Sequence, residues 1–341
     1  MGNPSNLDDA TIGPHYKAHY QFQYLTAAFQ FGLFDILEKT PGITLEELSV
    51  RVGLARRPTR ILLLGCTTMG LVWKEGDGYH NAPYIQPVSV LSDQPSATYL
   101  HCLYRAAGWF CESLNEDTHA GLQRELPGTA PGLYGRLAEH PELESTFQTL
   151  MGAVSHPVPE GIAATVDLSE YKYLLDIGGG AAMNAVHLAR SWPGLEITIA
   201  DLPSVASRAN ENIAELGLAD RVRAVSLDAF HDAFPIGHDS VLFTHFLEIW
   251  SADRIRELLT KASHALPSGG GVFVMTHHQD VDDTGPERAA CPSAYLHTVA
   301  SGDGMVYTDK EYEQWFSEAG IDPVKRVMFG PDTVVICGRK R

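Results

Sequence analysis

The chain has 341 residues, of which 44% are hydrophobic and 20% are charged, and its formal net charge at pH 7 is −17. This length allows two domains with sizeable cores, and the composition is that of an ordinary globular protein. The excess of acidic groups argues against nucleic acid as a partner, because the overall field would repel phosphates.

Cysteine usage and hydropathy exclude two further classes. The five cysteines are scattered and form no Cys-x-x-Cys pair, so the sequence predicts neither a disulfide framework nor a thiolate zinc cluster. The N-terminus is polar, and no run approaches the roughly twenty apolar residues needed to cross a bilayer. We therefore expect a cytoplasmic protein that does not contact a membrane.

The N-terminal region is predicted to be helical with a small wing. Apolar side chains recur at helical spacing from Tyr16 to Lys39, Thr44 has the character of a helix N-cap, and another helix is expected from Pro58 to Met69. Two short strands follow, at Gly70–Trp73 and Gly78–Asn81. The apolar face of the first helix is large for one small domain, so we expect a dimer interface there. The alternative is that this face is internal core.

The remainder of the chain is predicted to be a helical segment followed by an α/β domain. The segment from about Ala97 to Ala164 is helical, with Pro-Gly interruptions at 126–128 and 130–132. Strands then alternate with helices. The predicted strands are Leu174–Ile177, Ile197–Ala200, Val222–Ser226, Ser240–Thr244, Val272–Thr276, Val324–Phe329 and Thr333–Cys337. This alternation predicts an open, mostly parallel sheet whose ligands bind beyond the carboxyl ends of the strands.

A glycine-rich turn follows the first of these strands. The strand containing Asp176 leads into Gly178-Gly179-Gly180, and the next strand ends at Asp201. Such a turn lets a ligand approach the main chain, and an acidic residue about twenty positions on can hold a ribose. The last glycine of the dinucleotide pattern GxGxxG is absent, and a carboxylate beside the turn suits an ammonium and repels a pyrophosphate. The pattern favours a cationic nucleoside cofactor that carries an amino acid.

This segment resembles motif I of class I S-adenosylmethionine-dependent methyltransferases. The resemblance continues through Asp201-Leu202-Pro203, Asp228-Ala229-Phe230, Leu266-Pro267-Ser268-Gly269-Gly270 and Tyr307-Thr308-Asp309-Lys310-Glu311-Tyr312. Taken together, these motifs are similar to those of small-molecule O-methyltransferases with an N-terminal winged-helix dimerisation domain. The resemblance implies a homodimerising winged-helix-like domain at 1–96, a helical connector roofing the acceptor pocket at 97–165, and a Rossmann-like catalytic domain at 166–341.

The resemblance also implies how S-adenosylmethionine is held. Gly178 and Gly180 would line its methionyl and sugar portions, Asp201 would accept the ribose hydroxyls, and Leu202 would pack on the adenine. The adenine amino group and ring would meet Asp228, Ala229 and Phe230. Thr244, at the end of the fourth strand, is a further expected cofactor contact.

The chain departs from the family pattern after the fourth strand. Family members carry His-Asp-Trp, whose His is the base, where this chain has Glu248-Ile249-Trp250. His245 precedes Glu248 by three residues, which brings both side chains to the same side of one turn. His297 lies in the segment that lines the acceptor pocket of this family. His245, Glu248 and His297 are therefore predicted to hold iron or zinc. His277 and His278 are rival ligands and rival bases.

A metal with open positions would favour a particular acceptor. An α-keto acid can chelate such an ion, which then acidifies the adjacent C–H, so the enolate carbon becomes the nucleophile. This resembles the metal-dependent α-keto acid C-methyltransferases of natural-product pathways. The acceptor would be phenylpyruvate-like or branched aliphatic, and the group that takes the C–H proton stays open between His277, His278 and a hydroxide ion on the metal.

Two acceptor contacts and two rival functions complete the prediction. Arg105 and Arg124 are candidates to grip an anionic acceptor, since a guanidinium binds a carboxylate bidentately, and Trp109 is a candidate to contact its side chain. One rival is a metal-free O-methyltransferase that uses Glu248 or another His as base. The other is a cofactor-binding protein without methyl transfer, such as a pericyclase or a regulator.

Overall fold

The computed structural model describes residues 9–85, 94–154, 162–163, 165–330 and 332–341. They belong to two compact units, one of residues up to Cys102 together with Ser145–Ala153, the other of Leu103–Glu144 together with Val154–Arg341. The boundary predicted after residue 96 lies inside a helix, Gln94–Ala107. The predicted connector 97–165 is thus divided between the units, and its residues 155–161 and 164 lie outside the described residues.

The first unit contains the predicted helices and wing. Its elements up to the wing are α1 (Asp9–Gln30), α2 (Leu33–Lys39), β1 (Ile43–Thr44), α3 (Leu45–Val52), α4 (Arg56–Thr68), β2 (Val72–Glu75) and β3 (Gly78–Asn81). The three strands form an antiparallel sheet in the order β1-β3-β2. Thr44 caps α3 as expected, because its hydroxyl accepts from Glu47 N at 3.3 Å while Glu47 Oε2 accepts from Thr44 N at 3.1 Å.

The predicted first helix is two helices. The chain breaks between α1 and α2 at Gly32, whose φ of 62° lies in the left-handed region that glycine tolerates. The apolar period continues across this break, and so the sequence pattern conceals it. The core of this unit gathers side chains from α1 to β3, among them Phe29, Phe34, Leu48 and Leu63.

The segment that follows is helical, as predicted. Its helices are α5 (Gln94–Ala107), α6 (Phe110–Glu116), α7 (Ala120–Glu125), α8 (Leu133–Glu139) and α9 (Pro141–Val154). Both Pro-Gly interruptions lie between α7 and α8, where Arg136 donates hydrogen bonds to the carbonyls of Leu122 and Leu126, each at 2.8 Å. The carbonyl of Leu122 also accepts from the N–H of Leu126 at 3.2 Å, so Arg136 adds a charged donor to the last turn of α7 and connects it to α8.

The second unit is built on a seven-stranded sheet. Its strands are β4 (Tyr173–Ile177), β5 (Glu196–Asp201), β6 (Val222–Ser226), β7 (Ser240–Thr244), β8 (Gly271–His277), β9 (Ile321–Phe329) and β10 (Thr333–Lys340). They lie in the order β6-β5-β4-β7-β8-β10-β9, with only β10 antiparallel to its neighbours. The helices between them are α10 (Met183–Ser191), α11 (Pro203–Glu215), α12 (Ala252–Ala265), α13 (Glu287–Tyr295) and α14 (Asp309–Glu318).

This topology confirms the predicted α/β fold and positions the site. The order in which strands are added to the sheet reverses at β4, because β5 lies on one side of it and β7 on the other, both parallel to it. Such a switch point opens a crevice at the carboxyl ends of the strands. A separate apolar cluster packs on each side of the sheet, one including Leu175, Phe243 and Trp315, the other Leu174, Ile199 and Val335. Among the described residues, no helix combines the length and the apolar character that a membrane span requires.

Candidate active site

The glycine-rich turn after β4 is shaped by close contacts. Gly178 and Gly180 both have left-handed φ angles, 70° and 59°. A Cβ on Gly178 would lie 2.3 Å from the ring of Phe246, whereas one on Gly180 would meet no atom within 4 Å. The turn therefore needs glycine at 178 for packing and leaves open space above 180, as a backbone cradle for a ligand requires.

The predicted ribose carboxylate is joined to this turn. Asp201 Oδ2 accepts from Gly180 N at 2.9 Å, and Asp201 Oδ1 accepts from Leu202 N at 2.7 Å. Burial raises the pKa of Asp201, and the hydrogen bonds from these two backbone groups oppose that change. These hydrogen bonds join the end of β5 to the glycine turn, an arrangement consistent with a site for the two hydroxyls of a ribose.

A second carboxylate lies beneath the turn. Asp176 is fully buried, and neither of its side-chain oxygens has a hydrogen-bond partner among the described residues. Burial, followed by the charge of Asp201, raises the pKa of Asp176 to about 7. An unpaired buried carboxylate is costly, and a cation bound nearby would stabilise its charged form.

The loop after β6 holds the third predicted cofactor carboxylate. Asp228 Oδ1 accepts from the backbone N–H of Phe230 at 2.9 Å and of His231 at 3.2 Å, while Oδ2 lies 2.9 Å from His231 Nδ1. Although burial opposes it, the pKa of Asp228 is lowered by these hydrogen bonds and the His231 charge. Its carboxylate is therefore ionised and fixed in direction, with lone pairs left for another donor.

The main polar cluster lies at the ends of β7 and β8. His245 Nδ1 is 2.8 Å from Glu248 Oε1, and the rings of His245 and His277 have centroids 4.6 Å apart. One ligand atom from each of the three residues lies within 4.8 Å of the others. His245 follows β7 directly with a φ of 48°, and its N–H donates to the carbonyl of Met275 at 2.8 Å. Two imidazoles and a carboxylate therefore share one partly enclosed corner.

The electrostatics of this cluster favour an ionised carboxylate beside neutral imidazole. Burial by itself would raise the pKa of Glu248, but the hydrogen bond from His245 and the charges of His245 and His277 outweigh it, so the pKa is lowered. Burial lowers the pKa of His277, and the His245 charge adds to that effect. At neutral pH His277 is thus unprotonated, as a base or a metal ligand must be.

The position of His297 corrects the predicted ligand set. Its Nε2 donates to the carbonyl of Ser113 on α6 at 3.0 Å, and it belongs to no three-residue group of possible metal ligands among the described residues. His277, which the sequence offered as a rival, completes the cluster because β8 pairs with β7 in a register that matches Met275 with Thr244. The other rival, His278, lies instead 3.4 Å from the buried Asp309.

The predicted acceptor residues form a separate arrangement. Arg105 Nη2 pairs with Glu125 Oε2 at 2.6 Å, and Trp109 Nε1 donates to Glu125 Oε1 at 2.9 Å. Arg124 stacks over the Trp109 ring at 4.3 Å from its centroid. Arg105, Trp109 and Glu125 line a cleft of about 560 Å³. Each arginine already has a partner within the protein, so the role of either in binding an acceptor stays a prediction.

Of the aromatic side chains beside the cluster, Phe230 was predicted as a cofactor contact and Phe246 as a residue near the pocket, whereas Trp250 and Tyr134 were not anticipated. Trp250 packs edge-on against Phe230 and Phe246, with centroid distances of 4.7 and 6.1 Å, and lies 6.5 Å from the Tyr134 ring. Burial raises the pKa of Tyr134, and the nearby Tyr295, Asp201 and Glu248 raise it further. Tyr134 therefore lies within electrostatic range of both Asp201 and Glu248, an arrangement that no local sequence pattern reveals.

Comparison with known proteins gives two family matches. Residues 115–322 match the O-methyltransferase domain, and residues 15–84 match the O-methyltransferase dimerisation domain. The second match indicates a homodimer, as predicted.

Individual relatives cover most of the chain. It is 35% identical over 307 residues to the L-tyrosine C(3)-methyltransferase of Streptomyces lavendulae, covering 89% of this chain and 84% of the relative. It is 32% identical to the 3-hydroxy-5-methyl-1-naphthoate 3-O-methyltransferase of Streptomyces sahachiroi, covering 96% and 92%. Among solved structures, the S-adenosylmethionine-dependent methyltransferase SibL, in its apo form, superposes with a TM-score of 0.74 at 34% identity, covering 98% of this chain and 99% of SibL.

Proposed function

The chain belongs to the family of S-adenosylmethionine-dependent O-methyltransferases with an N-terminal dimerisation domain, and on this premise we propose that it methylates a carbon of a hydroxylated aromatic acceptor. The observation that carries the proposal is the contact of 2.8 Å between His245 Nδ1 and Glu248 Oε1, at the point where the family's usual base is replaced. The substrate class is that of a phenolic amino acid, as in the name of the relative that is 35% identical.

His245 and Glu248, here called the dyad, can act together as a base on a phenol. With Nδ1 of His245 donating to the ionised Glu248, Nε2 is left as an acceptor, and the carboxylate stabilises the imidazolium that forms when a proton arrives. A phenolate produced in this way carries negative charge on its ortho carbons as well as on oxygen. S-adenosylmethionine supplies an electrophilic methyl group, which leaves its sulfonium as the ring carbon takes it up.

A second base favours carbon over oxygen as the nucleophile. Methylation on oxygen needs one proton removed, whereas methylation on a ring carbon also requires loss of the ring proton before aromaticity returns. His277 lies beside His245 and has a lowered pKa, so it can accept that second proton at neutral pH. The aromatic residues Trp250, Phe246 and Tyr134 supply apolar surface against which an aromatic acceptor can pack.

We infer the cofactor site from the same crevice. Gly178 and Gly180 shape the turn for the methionyl and sugar portions, Asp201 accepts the ribose hydroxyls, and Asp228 accepts from the adenine amino group. Leu202, Ala229, Phe230 and Thr244 complete the proposed contacts. The unpaired carboxylate of Asp176 supports this assignment, because S-adenosylmethionine carries both an ammonium and a sulfonium.

A metal-dependent α-keto acid C-methyltransferase is the second candidate. The specific observation in its favour is that ligand atoms of His245, Glu248 and His277 lie within 4.8 Å of one another, a set that zinc or ferrous or ferric iron accepts. When bound, such an ion polarises a carbonyl as a Lewis acid, which suits a phenylpyruvate-like or branched aliphatic keto acid. Activity on a keto acid that disappears with a chelator would favour this candidate.

Two acceptors separate the candidates. Purified protein is incubated with S-adenosylmethionine and either phenylpyruvate or tyrosine deuterated at both ring carbons ortho to the hydroxyl, with and without chelator, and the products are analysed by mass spectrometry and NMR. We expect a product that has lost one deuterium and gained a methyl group on carbon, at a rate the chelator does not change. Retention of both deuterons with a methyl ether identifies an O-methyltransferase, and methylation of phenylpyruvate alone supports the metal-dependent route.

Variants connect that activity to the dyad. His245→Ala should reduce product formation by about 10²-fold or more, the usual contribution of a positioned general base. His264→Ala, on the exposed side of α12, serves as the matched control and should retain the wild-type rate. Equal activity in the two variants would remove His245 as the base. The natural-product setting and the cytoplasmic location expected for the protein stay predictions.

A further inference from the structure

Lys261 on α12 makes an unusual set of contacts with the loop after β6. Its ammonium donates to the backbone carbonyls of Ala229 at 2.8 Å, Phe230 at 2.6 Å and Asp232 at 3.1 Å. An ammonium has three protons, so all of them are committed to this one loop. The side chain is 22% exposed, and three such hydrogen bonds offset the cost of its partial burial.

The same peptide groups contact Asp228 on their other side. The carbonyl of Ala229 and the N–H of Phe230 belong to one peptide unit, and that N–H donates to Asp228 Oδ1 at 2.9 Å. The carbonyl of Phe230 shares the next unit with the N–H of His231, which donates to the same oxygen at 3.2 Å. Because a peptide unit is planar with its C=O and N–H pointing in opposite directions, each unit is held between the ammonium and the carboxylate.

We propose that Lys261 is a positioning residue for cofactor recognition, which acts through these two peptide units to fix the carboxylate of Asp228 toward the adenine amino group. Hydrogen bonds from a charged donor are stronger than neutral ones, and they polarise the peptide units so that their N–H groups bind the carboxylate more tightly. The proposal rests on the proposed cofactor role of Asp228. It adds that adenine selection depends on a side chain outside the cofactor crevice.

Replacement of Lys261 by an apolar residue should leave the loop free to rotate its peptide groups. In Lys261→Met, the carbonyls of Ala229 and Phe230 lose their charged donor and must turn toward water, which takes the N–H groups away from Asp228. The carboxylate then loses its fixed direction. Binding of a nucleoside with an amino group should weaken, whereas a nucleoside that lacks it has nothing to lose at this position.

The experiment compares S-adenosylhomocysteine with S-inosylhomocysteine, in which oxygen replaces the adenine amino group, by calorimetric titration of the full-length protein. For Lys261→Met we expect the Kd of the adenine form to rise about tenfold, while that of the inosine form changes less than about threefold. Lys261→Arg should restore much of the discrimination between the two ligands, since a guanidinium keeps the charge and several donors. Lys261→Gln, which keeps a neutral donor, provides an intermediate variant should the methionine variant not fold.

Two matched variants separate this proposal from others. Arg256→Met alters the same helix but breaks ion pairs with Asp253 and Glu318 away from the loop, and it should keep the wild-type discrimination. Asp228→Asn should lose discrimination if Asp228 reads the amino group. If Asp228→Asn loses the discrimination between the two ligands while every Lys261 variant keeps it in full, the proposed role of Lys261 is overturned and the cofactor role of Asp228 is not. No loss in Asp228→Asn would overturn the cofactor assignment and this proposal with it.

Discussion

Gly178 lies so close to Phe246 that a Cβ at position 178 would fall 2.3 Å from the phenylalanine ring. The residue also has a φ of 70°, so alanine there meets both backbone strain and a clash with a ring that packs against Trp250. Gly180 has a comparable φ of 59° but open space around it. The two glycines therefore form a natural pair for separating steric from conformational effects.

We predict that Gly178→Ala mainly lowers stability, whereas Gly180→Ala mainly lowers cofactor affinity. Gly178→Ala should lower the free energy of unfolding by about 2 to 4 kcal/mol, from strain plus overpacking, whereas Gly180→Ala should lower it by about 1 kcal/mol. If the open space above Gly180 receives the cofactor, however, Gly180→Ala should weaken binding of S-adenosylhomocysteine at least about tenfold. Chemical denaturation measures the free energy of unfolding, and calorimetry measures the affinity for S-adenosylhomocysteine. Unchanged cofactor affinity in Gly180→Ala would show that the cofactor does not bind in the space above Gly180.

The pairing of His245 with Glu248 leads to a prediction about charge. Glu248→Gln keeps the size of the side chain but removes the charge that stabilises an imidazolium on His245, and kcat should fall by about 10²-fold or more. Since the pKa of Glu248 is lowered, its carboxylate is ionised throughout the range above about pH 5, so the loss should be present across the whole neutral range. The exposed Glu211→Gln on α11 is the control, and equal rates in both variants would exclude a catalytic dyad.

The sheet was predictable from sequence because its central strands are short apolar runs with clear ends. Each predicted strand of the α/β domain overlaps an observed one, and the largest departures are three residues long: β9 begins at Ile321 rather than near Val324, and β10 ends at Lys340 rather than Cys337. Buried parallel strands must be apolar on both faces, so their bounds show directly in the sequence. The break at Gly32 did not show, because the apolar spacing of α1 resumes in α2 without a change of phase.

The site was predictable only in part, because contacts between distant segments depend on register. His245 and Glu248 were found together because three residues in one turn fix their separation. Which third imidazole joins them depends on how β8 pairs with β7. The sequence prediction chose His297 through the family resemblance and gave His277 only as a rival, whereas the structure groups His277 with the pair. The contact of Lys261 with the loop after β6 spans about thirty residues and follows no local pattern.

Replacement of His277 and replacement of His297 should have different effects. His277→Ala removes a member of the cluster and the proposed acceptor of the ring proton, so kcat should fall by about 10²-fold. His297→Ala removes a hydrogen bond of 3.0 Å to Ser113 and should lower stability by about 1 kcal/mol, with kcat within about threefold of wild type. Elemental analysis of both variants after incubation with zinc or iron tests the metal candidate. Metal retained by His277→Ala but lost from His297→Ala would restore the ligand set predicted from sequence.

The buried Asp176 predicts how stability depends on pH. Its pKa is raised to about 7 in the folded protein, whereas an unfolded chain would have the ordinary value of about 3.9. Below about pH 4 the group is neutral in both states and contributes no penalty. As the pH rises toward 7 the unfolded state ionises first, so the folded state loses stability relative to it, and above about pH 8 the difference is constant.

Asp176→Asn should remove this dependence. The free energy of unfolding of the variant minus that of the wild type should increase between about pH 4 and pH 8, by up to roughly 4 kcal/mol at 1.4 kcal/mol for each pKa unit. Asp77→Asn, at a side chain 98% exposed, is the control and should run parallel to the wild type. Saturating S-adenosylmethionine should shrink the increase for Asp176→Asn, because a cation bound near Asp176 stabilises the wild-type carboxylate. A difference that stays flat with pH in the ligand-free protein would mean that Asp176 is ionised without penalty.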